Sequence, residues 1–130
     1  MILVDTSVWV DVLRDKKGAL AEAFRKRTAE EICVLSQFTQ MELLQGAKDE
    51  KEWNRLDEYL LTQYYLDCSE NTWKEAARIF FELRRKGITV SSPVDCCIAQ
   101  IAIESNALLL HRDGDFEKIV RVRPLAIEWF

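Results

Sequence analysis

Glycine, proline and histidine are scarce in this chain of 130 residues, which contains four glycines, two prolines and one histidine. So few glycines and prolines exclude a long flexible linker, and the length suits one domain of ordinary size. We therefore predict a single compact domain over residues 1–130. With 48% hydrophobic and 31% charged residues, the composition is that of a globular protein with a substantial core.

The cysteines and the lone histidine do not form a recognisable metal or disulfide pattern. The chain has four cysteines, none of them in a C-x-x-C pair: Cys33, Cys68, Cys96 and Cys97. Together with His111 alone, they cannot complete an ordinary zinc site. Reduced thiols in a cytoplasmic protein are the interpretation that fits this pattern.

Long apolar runs and a strong positive charge are also missing. No segment approaches the roughly 20 apolar residues that span a bilayer, and the N-terminus has no basic leader before Asp5. We therefore expect neither a membrane anchor nor a signal peptide. A net charge of −4 argues against nucleic-acid binding by bulk positive charge. It leaves open a nuclease whose metal ions offset part of the acid.

Short apolar runs alternate with segments of helical periodicity. The runs predict strands at residues 2–5, 32–35, 65–67, 108–110 and 125–127. The intervening segments predict helices at residues 6–14, 18–28, 36–47, 49–63, 69–86 and 92–104, with a short one from residue 115. Apolar strands without alternation, separated by helices, indicate an α/β fold with a parallel sheet covered on both faces.

Carboxylates stand where such a sheet would bring them together. Asp5 follows the first strand, Asp113 and Asp115 follow the strand at 108–110, and Glu42 and Asp95 lie in the first part of two helices. The carboxyl ends of parallel strands form one functional edge. Because like charges repel, acids gathered there require a cation, and oxygen ligands suit Mg²⁺ or Mn²⁺. A metal held by carboxylates is suited to phosphodiester cleavage.

Each acid also has a purely structural interpretation. Asp5 is a good helix cap, and Glu42 and Asp95 each stand three residues after a Thr or Ser, as in a capping box. Asp115 is either a second metal ligand or the cap of a short helix. Under this alternative the protein is a non-catalytic α/β binding module with a solvated acidic rim. A shared metal site has the advantage of explaining all the acids at once.

The motifs resemble those of the PIN domain. They are Val4-Asp5-Thr6-Ser7, Met41-Glu42-Leu43, Val94-Asp95 and Arg112-Asp113-Gly114-Asp115-Phe116. Their order, their spacing and the length of the chain are similar to those of the VapC-type toxins of toxin–antitoxin pairs. The resemblance covers essentially the whole chain and implies a three-layer α/β/α sandwich with a central parallel sheet.

The same resemblance implies a function and a set of site residues. It implies an endoribonuclease dependent on Mg²⁺ or Mn²⁺, a homodimer, and a VapB antitoxin whose C-terminal segment obstructs the cleft. The acidic quartet would be Asp5, Glu42, Asp95 and Asp113, with Asp115 as an accessory, and Thr6 or Ser7 would supply a hydroxyl beside the first acid. His111 departs from the family pattern, since Thr or Ser is common there; substrate contact and surface variation are both open. A PIN nuclease of RNA processing without a toxin role is the alternative within the family.

Positive charge for RNA contact has three candidate sources. Arg112, beside the acidic turn, is the favoured one, and Lys48 follows the helix that carries Glu42. The run Arg84-Arg85-Lys86 ends a helix, where basic residues usually complement the helix dipole. We therefore interpret that run as a solvated helix end.

Overall fold

The computed structural model describes all 130 residues and contains one sheet of five parallel strands in the order β3-β2-β1-β4-β5. The strands are β1 (Ile2–Val4), β2 (Cys33–Ser36), β3 (Tyr64–Leu66), β4 (Leu108–His111) and β5 (Ile127–Trp129). All four pairings are parallel. The predicted parallel sheet is confirmed.

Seven helices connect and cover the strands. They are α1 (Thr6–Arg14), α2 (Ala19–Thr28), α3 (Gln37–Gln45), α4 (Glu50–Leu61), α5 (Glu70–Arg85), α6 (Pro93–Glu104) and α7 (Asp115–Ile119). Short polar side chains begin most of them. Ser36, Asp49 and Ser92, for example, each accept a hydrogen bond from a backbone N–H of the first turn.

Alternation along the strands divides the core into two layers. Leu3, Val34 and Leu109 pack with apolar residues of α5, α6 and α7 on one face of the sheet. Their neighbours in sequence, such as Val4 and Leu110, pack on the other face with residues of α1, α2 and α4. Since successive side chains of a strand point to opposite faces, both faces are covered. The α/β/α sandwich expected from the sequence is therefore confirmed.

Strand order places one crevice at the functional edge of the sheet. Chain connections leave β1 toward β2 on one side, while β4 lies on the other side of β1. Val4 pairs with Leu110, and the Asp5 amide donates to the Leu110 carbonyl over 2.9 Å. The residues that follow β1 and β4 are consequently adjacent. In open parallel sheets this switch point is where ligands bind.

The predicted second and third strands are each displaced by one residue, and the predicted last strand is displaced by two. The last strand covers Ile127–Trp129, whereas the sequence favoured residues 125–127. Leu125 is buried in the core below the sheet and Ala126 only accepts one bond from the Leu109 amide. Leu125 thus fills the core before the strand begins at Ile127. No helix combines the length and the apolar composition that a membrane crossing requires.

Candidate active site

Asp5 connects the end of β1 to the start of α1. Its carboxylate caps α1 by accepting from the Ser7 amide over 2.9 Å, and it also accepts from the Ser7 hydroxyl. The residue is 5% exposed. Burial raises the pKa of Asp5, the bonds from Ser7 oppose that shift, and the nearby charge of Asp113 adds to it. The cap predicted by the structural interpretation is therefore present, on a carboxylate that is also buried beside a second acid.

Two hydroxyls tie Asp5 to neighbouring elements. Ser7 Oγ accepts from the Arg112 amide over 3.0 Å while it donates to Asp5, so it links the ends of β1 and β4. Thr6 Oγ1 donates to Thr39 Oγ1 over 3.1 Å in a buried contact with α3. These bonds fix the first acid relative to both adjacent strands.

Asp95 lies in the first turn of α6 and has little polar support. Ser92 caps that helix through the Val94 amide, and no capping box forms with Asp95. Its one hydrogen bond is a long one, 3.5 Å, from the Ser91 hydroxyl. Burial, followed by the charges of the surrounding acids Asp113, Asp5, Asp115 and Glu42 in that order, raises the pKa of Asp95 to about 7. Asp95 is thus the centre of the acidic cluster.

Asp113 and Asp115 complete a cluster with Asp95. Carboxylate oxygens of the three residues all lie within 4.8 Å of one another. Asp113 Oδ1 accepts from the Asp115 amide over 2.9 Å, so Asp113 supports the start of α7. The crowding of three acids here is the geometry expected of a cation site.

Asp115 differs from the other acids because its oxygens are already engaged. Asp115 Oδ2 accepts from the Ser91 amide and hydroxyl over 2.8 and 2.7 Å, and Oδ1 contacts Lys118 Nζ at 2.9 Å. Burial would raise the pKa of Asp115, but these donors lower it to about 2. Its side chain therefore anchors the segment before α6 and does not cap α7.

Glu42 reaches the cluster from α3. Ser36 caps this helix by accepting from the Thr39 amide over 3.2 Å, so the helix begins before Thr39 and the capping box at Thr39 is not formed. Burial raises the pKa of Glu42, the nearby Thr6 hydroxyl opposes that shift, and the charge of Asp5 adds to it. Glu42 therefore lies within electrostatic reach of the first acid.

No basic side chain neutralises the inner acids. Arg112 Nε pairs with Asp11 on α1 at 3.0 Å, and Lys118 pairs with Asp115. None of the six salt bridges of the protein involves Asp5, Glu42, Asp95 or Asp113. Crowded carboxylates without a basic partner fit a hard divalent cation, which would supply the missing positive charge. Arg112, predicted from sequence to contact substrate, forms a partly exposed ion pair with Asp11 on α1.

His111 is completely buried at the end of β4. Its Nδ1 accepts from the Asp113 amide over 3.2 Å, which places the ring proton on Nε2, and Nε2 has no hydrogen-bond partner. The rings of Phe116 and Trp129 enclose it edge-on. Burial lowers the pKa of His111, so the ring is neutral at pH 7. The structure therefore excludes surface variation and shows that the ring supports the turn of Asp113.

Ser91, Lys118 and Asp11 belong to this region and were missed in sequence. Ser91 and Lys118 hold Asp115, and Asp11 holds Arg112. The only sequence signal was local, since Lys118 stands three residues after Asp115 on a short helix. The partnerships of Ser91 and Asp11 depend on tertiary packing alone.

Comparison with known proteins places the chain among similar sequences and folds. The PIN domain model matches residues 2–122. A VapC ribonuclease of Mycobacterium bovis and ribonuclease VapC11 of Mycobacterium tuberculosis are each 35% identical over 128 residues, covering 96% of this chain and 96% of the relative. The crystal structure of VapBC2 from Rickettsia felis, bound to a DNA fragment from its promoter, contains a similar fold. It has a TM-score of 0.80 at 22% identity and covers 100% of this chain and 99% of that chain.

The raised pKa of Asp95 predicts a pH-dependent cost to folding. Its folded pKa of about 7 exceeds the unfolded value of about 3.9. Between roughly pH 4 and 7 the folded state therefore binds one proton more than the unfolded state. The contribution of Asp95 to the free energy of unfolding is fully present below this range and is lost as the pH rises through it. We expect Asp95→Asn, which cannot ionise, to have a Tm that exceeds the wild-type Tm by more at pH 8 than at pH 5, in EDTA. A Tm difference that stays constant with pH contradicts this electrostatic description.

Loss of the His111 acceptor should loosen the Asp113 turn. Replacing a group that orients a metal ligand typically reduces metal affinity by about 10–100-fold. We expect His111→Leu to weaken Mn²⁺ binding by about tenfold in isothermal titration calorimetry. His111→Asn, which retains an acceptor near the position of Nδ1, should lose less affinity. Equal Mn²⁺ affinity in the wild type and His111→Leu would show that the bond to Asp113 has no positioning role.

Proposed function

The chain belongs to the PIN domain family, and we propose that it is a metal-dependent endoribonuclease that acts as the toxin of a VapBC-type toxin–antitoxin pair. In this proposal residues 1–130 form one nuclease domain. The family resemblance extends the proposal to a homodimer that acts in the cytoplasm. The substrate is RNA, as the names of the ribonuclease relatives suggest.

One observation carries the proposal: carboxylate oxygens of Asp95, Asp113 and Asp115 lie within 4.8 Å of one another, and the charge of Asp5 acts on this cluster. Of these four acids only Asp115 has a basic partner. Asp5 follows β1, Asp95 begins α6 and Asp113 follows β4. The binding-module alternative treats these acids as helix caps. The Asp5 carboxylate caps α1, and Asp113 supports the start of α7, a helix of five residues. Asp95 caps no helix. A cation site accounts for Asp95, whereas capping does not.

Asp5, Asp95 and Asp113 would hold Mg²⁺ or Mn²⁺, with Asp115 as an accessory whose charge adds to the site. A divalent ion bound there supplies two effects, a lower pKa for a coordinated water and compensation of the charge on the phosphate undergoing attack. Asp115 itself stays bonded to Ser91 and Lys118, which keeps the segment before α6 in place. This division assigns ligand binding to Asp5, Asp95 and Asp113, which form no salt bridge.

The remaining residues orient the acids and handle the proton. Ser7 directs one oxygen of Asp5 by a hydrogen bond, and His111 fixes the backbone of Asp113. Glu42, with a pKa raised chiefly by burial, is suited to orient the attacking water and accept its proton. Thr6 donates its hydroxyl to Thr39 on α3, the helix that carries Glu42. Arg112, paired with Asp11, supports this arrangement from the far side of Ser7.

A groove beside the acids offers a place for the antitoxin. It has a volume of about 600 Å³ and is lined by α1, α3 and α4. Its apolar lining consists of Val10, Leu13, Leu43, Leu56 and Tyr59. Glu42 also lines it, so the groove extends from an apolar surface to the proposed catalytic residues. We propose that an apolar segment of a VapB-type antitoxin occupies this groove and thereby blocks access to Glu42.

Ribonuclease activity tests the proposed function. We expect the wild type to cleave single-stranded RNA with Mn²⁺ or Mg²⁺ and to be inactive in EDTA. Asp95→Asn should reduce cleavage by at least about 100-fold, since metal catalysis contributes several kcal/mol to the transition state. Asp67→Asn, which changes an exposed acid in the loop after β3, is the matched control and should be fully active.

Circular dichroism should show that Asp95→Asn retains the fold. Expression of the wild type without antitoxin should arrest growth, and Asp95→Asn should not. An Asp95→Asn protein that cleaves RNA at the wild-type rate contradicts the assignment. RNA cleavage without growth arrest would instead favour a role in RNA processing.

Antitoxin binding tests the groove. Burying a leucine side chain contributes about 1.5–3 kcal/mol, so a charge in its place should weaken binding by at least about tenfold. We expect this loss for Leu56→Glu when binding to the cognate antitoxin is measured by calorimetry, with RNA cleavage unchanged. Leu61→Glu, on the same helix but 74% exposed and outside the groove, should bind normally. Equal affinity of both variants would exclude this docking site.

A further inference from the structure

A second concavity, of about 590 Å³, lies between the C-terminal half of α5 and the turn that follows α7. Five basic side chains line this basic cleft: Arg78, Arg85, Lys86, Arg121 and Arg123. Its single acid is Glu82. A concentration of positive charge in a chain of net charge −4 marks the cleft as distinct from the rest of the surface.

Much of this positive charge has no internal partner. Glu82 is shared by Arg123 and Arg78, the latter at 3.1 Å, so the one acid is fully used. Arg85, Lys86 and Arg121 are exposed and form no salt bridge. The sequence interpretation, a helix end complemented by basic residues, suits Arg85 at the end of α5. It does not explain Arg121, which comes from a separate element and faces the same cleft.

An aromatic ring lies among these cations. Phe81 is half-buried, and the guanidinium groups of Arg78 and Arg85 lie 5.0 and 5.6 Å from its ring centroid. These contacts hold the two arginines at the cleft by cation–π attraction. Guanidinium groups fixed beside an aromatic surface are a common arrangement for binding single-stranded nucleic acid.

The basic cleft is connected directly to the acidic cluster. Four residues separate Lys86 from Ser91, so their Cα atoms lie at most about 18 Å apart. Ser91 hydrogen-bonds Asp115 and, more weakly, Asp95. Lys118 secures the intervening segment by donating to the Thr89 carbonyl over 2.8 Å. A polyanion in the cleft could therefore continue along the surface to the acids.

We propose that the basic cleft binds the phosphate backbone of the RNA strand that flanks the scissile bond. This inference rests on the proposed ribonuclease function and adds the path of the substrate. Phosphates beside the cleavage point would contact Arg85, Lys86 and Arg121, and an adjacent base would stack near Phe81. Contacts of this kind are independent of base sequence and weaken with salt. The basic cleft thus raises the affinity of the protein for RNA strands that extend beyond the few nucleotides at the acidic cluster.

Binding of a fluorescent single-stranded RNA tests the basic cleft. The RNA has about 20 nucleotides, which exceeds the usual footprint of one small domain. Asp95→Asn serves as the background in Mg²⁺, so that binding is measured without cleavage. Adding Arg85→Ala and Arg121→Ala removes two phosphate contacts, and each lowers the slope of log Kobs against log salt by about 0.7. We expect affinity to fall by roughly 10–30-fold near 0.1 M salt. Lys16→Ala with Lys17→Ala, exposed between α1 and α2, matches the charge change and should have no effect.

Kinetics of the otherwise wild-type enzyme separate this inference from the nuclease assignment. Arg85→Ala with Arg121→Ala should raise KM for the long RNA and leave cleavage of a tetranucleotide unchanged. Unchanged RNA affinity and salt slope in the double variant, with normal cleavage, would overturn the basic cleft and leave the nuclease assignment standing. No cleavage by the wild type under any metal condition, with RNA binding still lost in the double variant, would overturn the nuclease assignment alone.

Discussion

Mutual repulsion among buried carboxylates is the interaction on which the site depends. Burial and four neighbouring acids bring the pKa of Asp95 to about 7, and burial raises that of Asp5 as well. Such a cluster opposes folding at neutral pH unless protons or a cation occupy it. The nearby bases leave Asp5, Asp95 and Asp113 unpaired, because Lys118 is bound to Asp115 and Arg112 to Asp11. The fold therefore holds a charge that a divalent ion would balance.

The central sheet explains how a small domain stays folded despite this repulsion between carboxylates. β1 and β4 are paired in parallel at the centre, and their side chains are buried in a core on each face. Burial of that apolar surface offsets the electrostatic penalty at the edge. Hydrogen bonds then orient each acid separately, through Ser7 for the first and through His111 for the third. The hydrogen bonds thus orient the acids, whereas the apolar core offsets the repulsion between them.

Local pattern was sufficient to predict the elements and the acids at their ends. The parallel sheet followed from apolar runs between helices, and Asp5 and Asp113 followed from the ends of two such runs. Long-range partners could not be predicted, since Ser91 meets Asp115 across 24 residues and Arg112 meets Asp11 only after folding. Hydropathy also misplaced the last strand, because Leu125 packs into the core and the strand begins only at Ile127.

The charge of the surface was the least predictable property. A basic run at the end of α5 has an ordinary explanation in the helix dipole, and only the fold brings Arg121 to the same concavity. Binding of one cation by acids from separate elements can be seen in a crystal structure of the protein soaked with Mn²⁺, through the anomalous signal of manganese. We expect an anomalous peak coordinated by Asp5, Asp95 and Asp113. A well-ordered structure in which Mn²⁺ binds elsewhere, and these carboxylates remain without it, would show that they do not form the cation site.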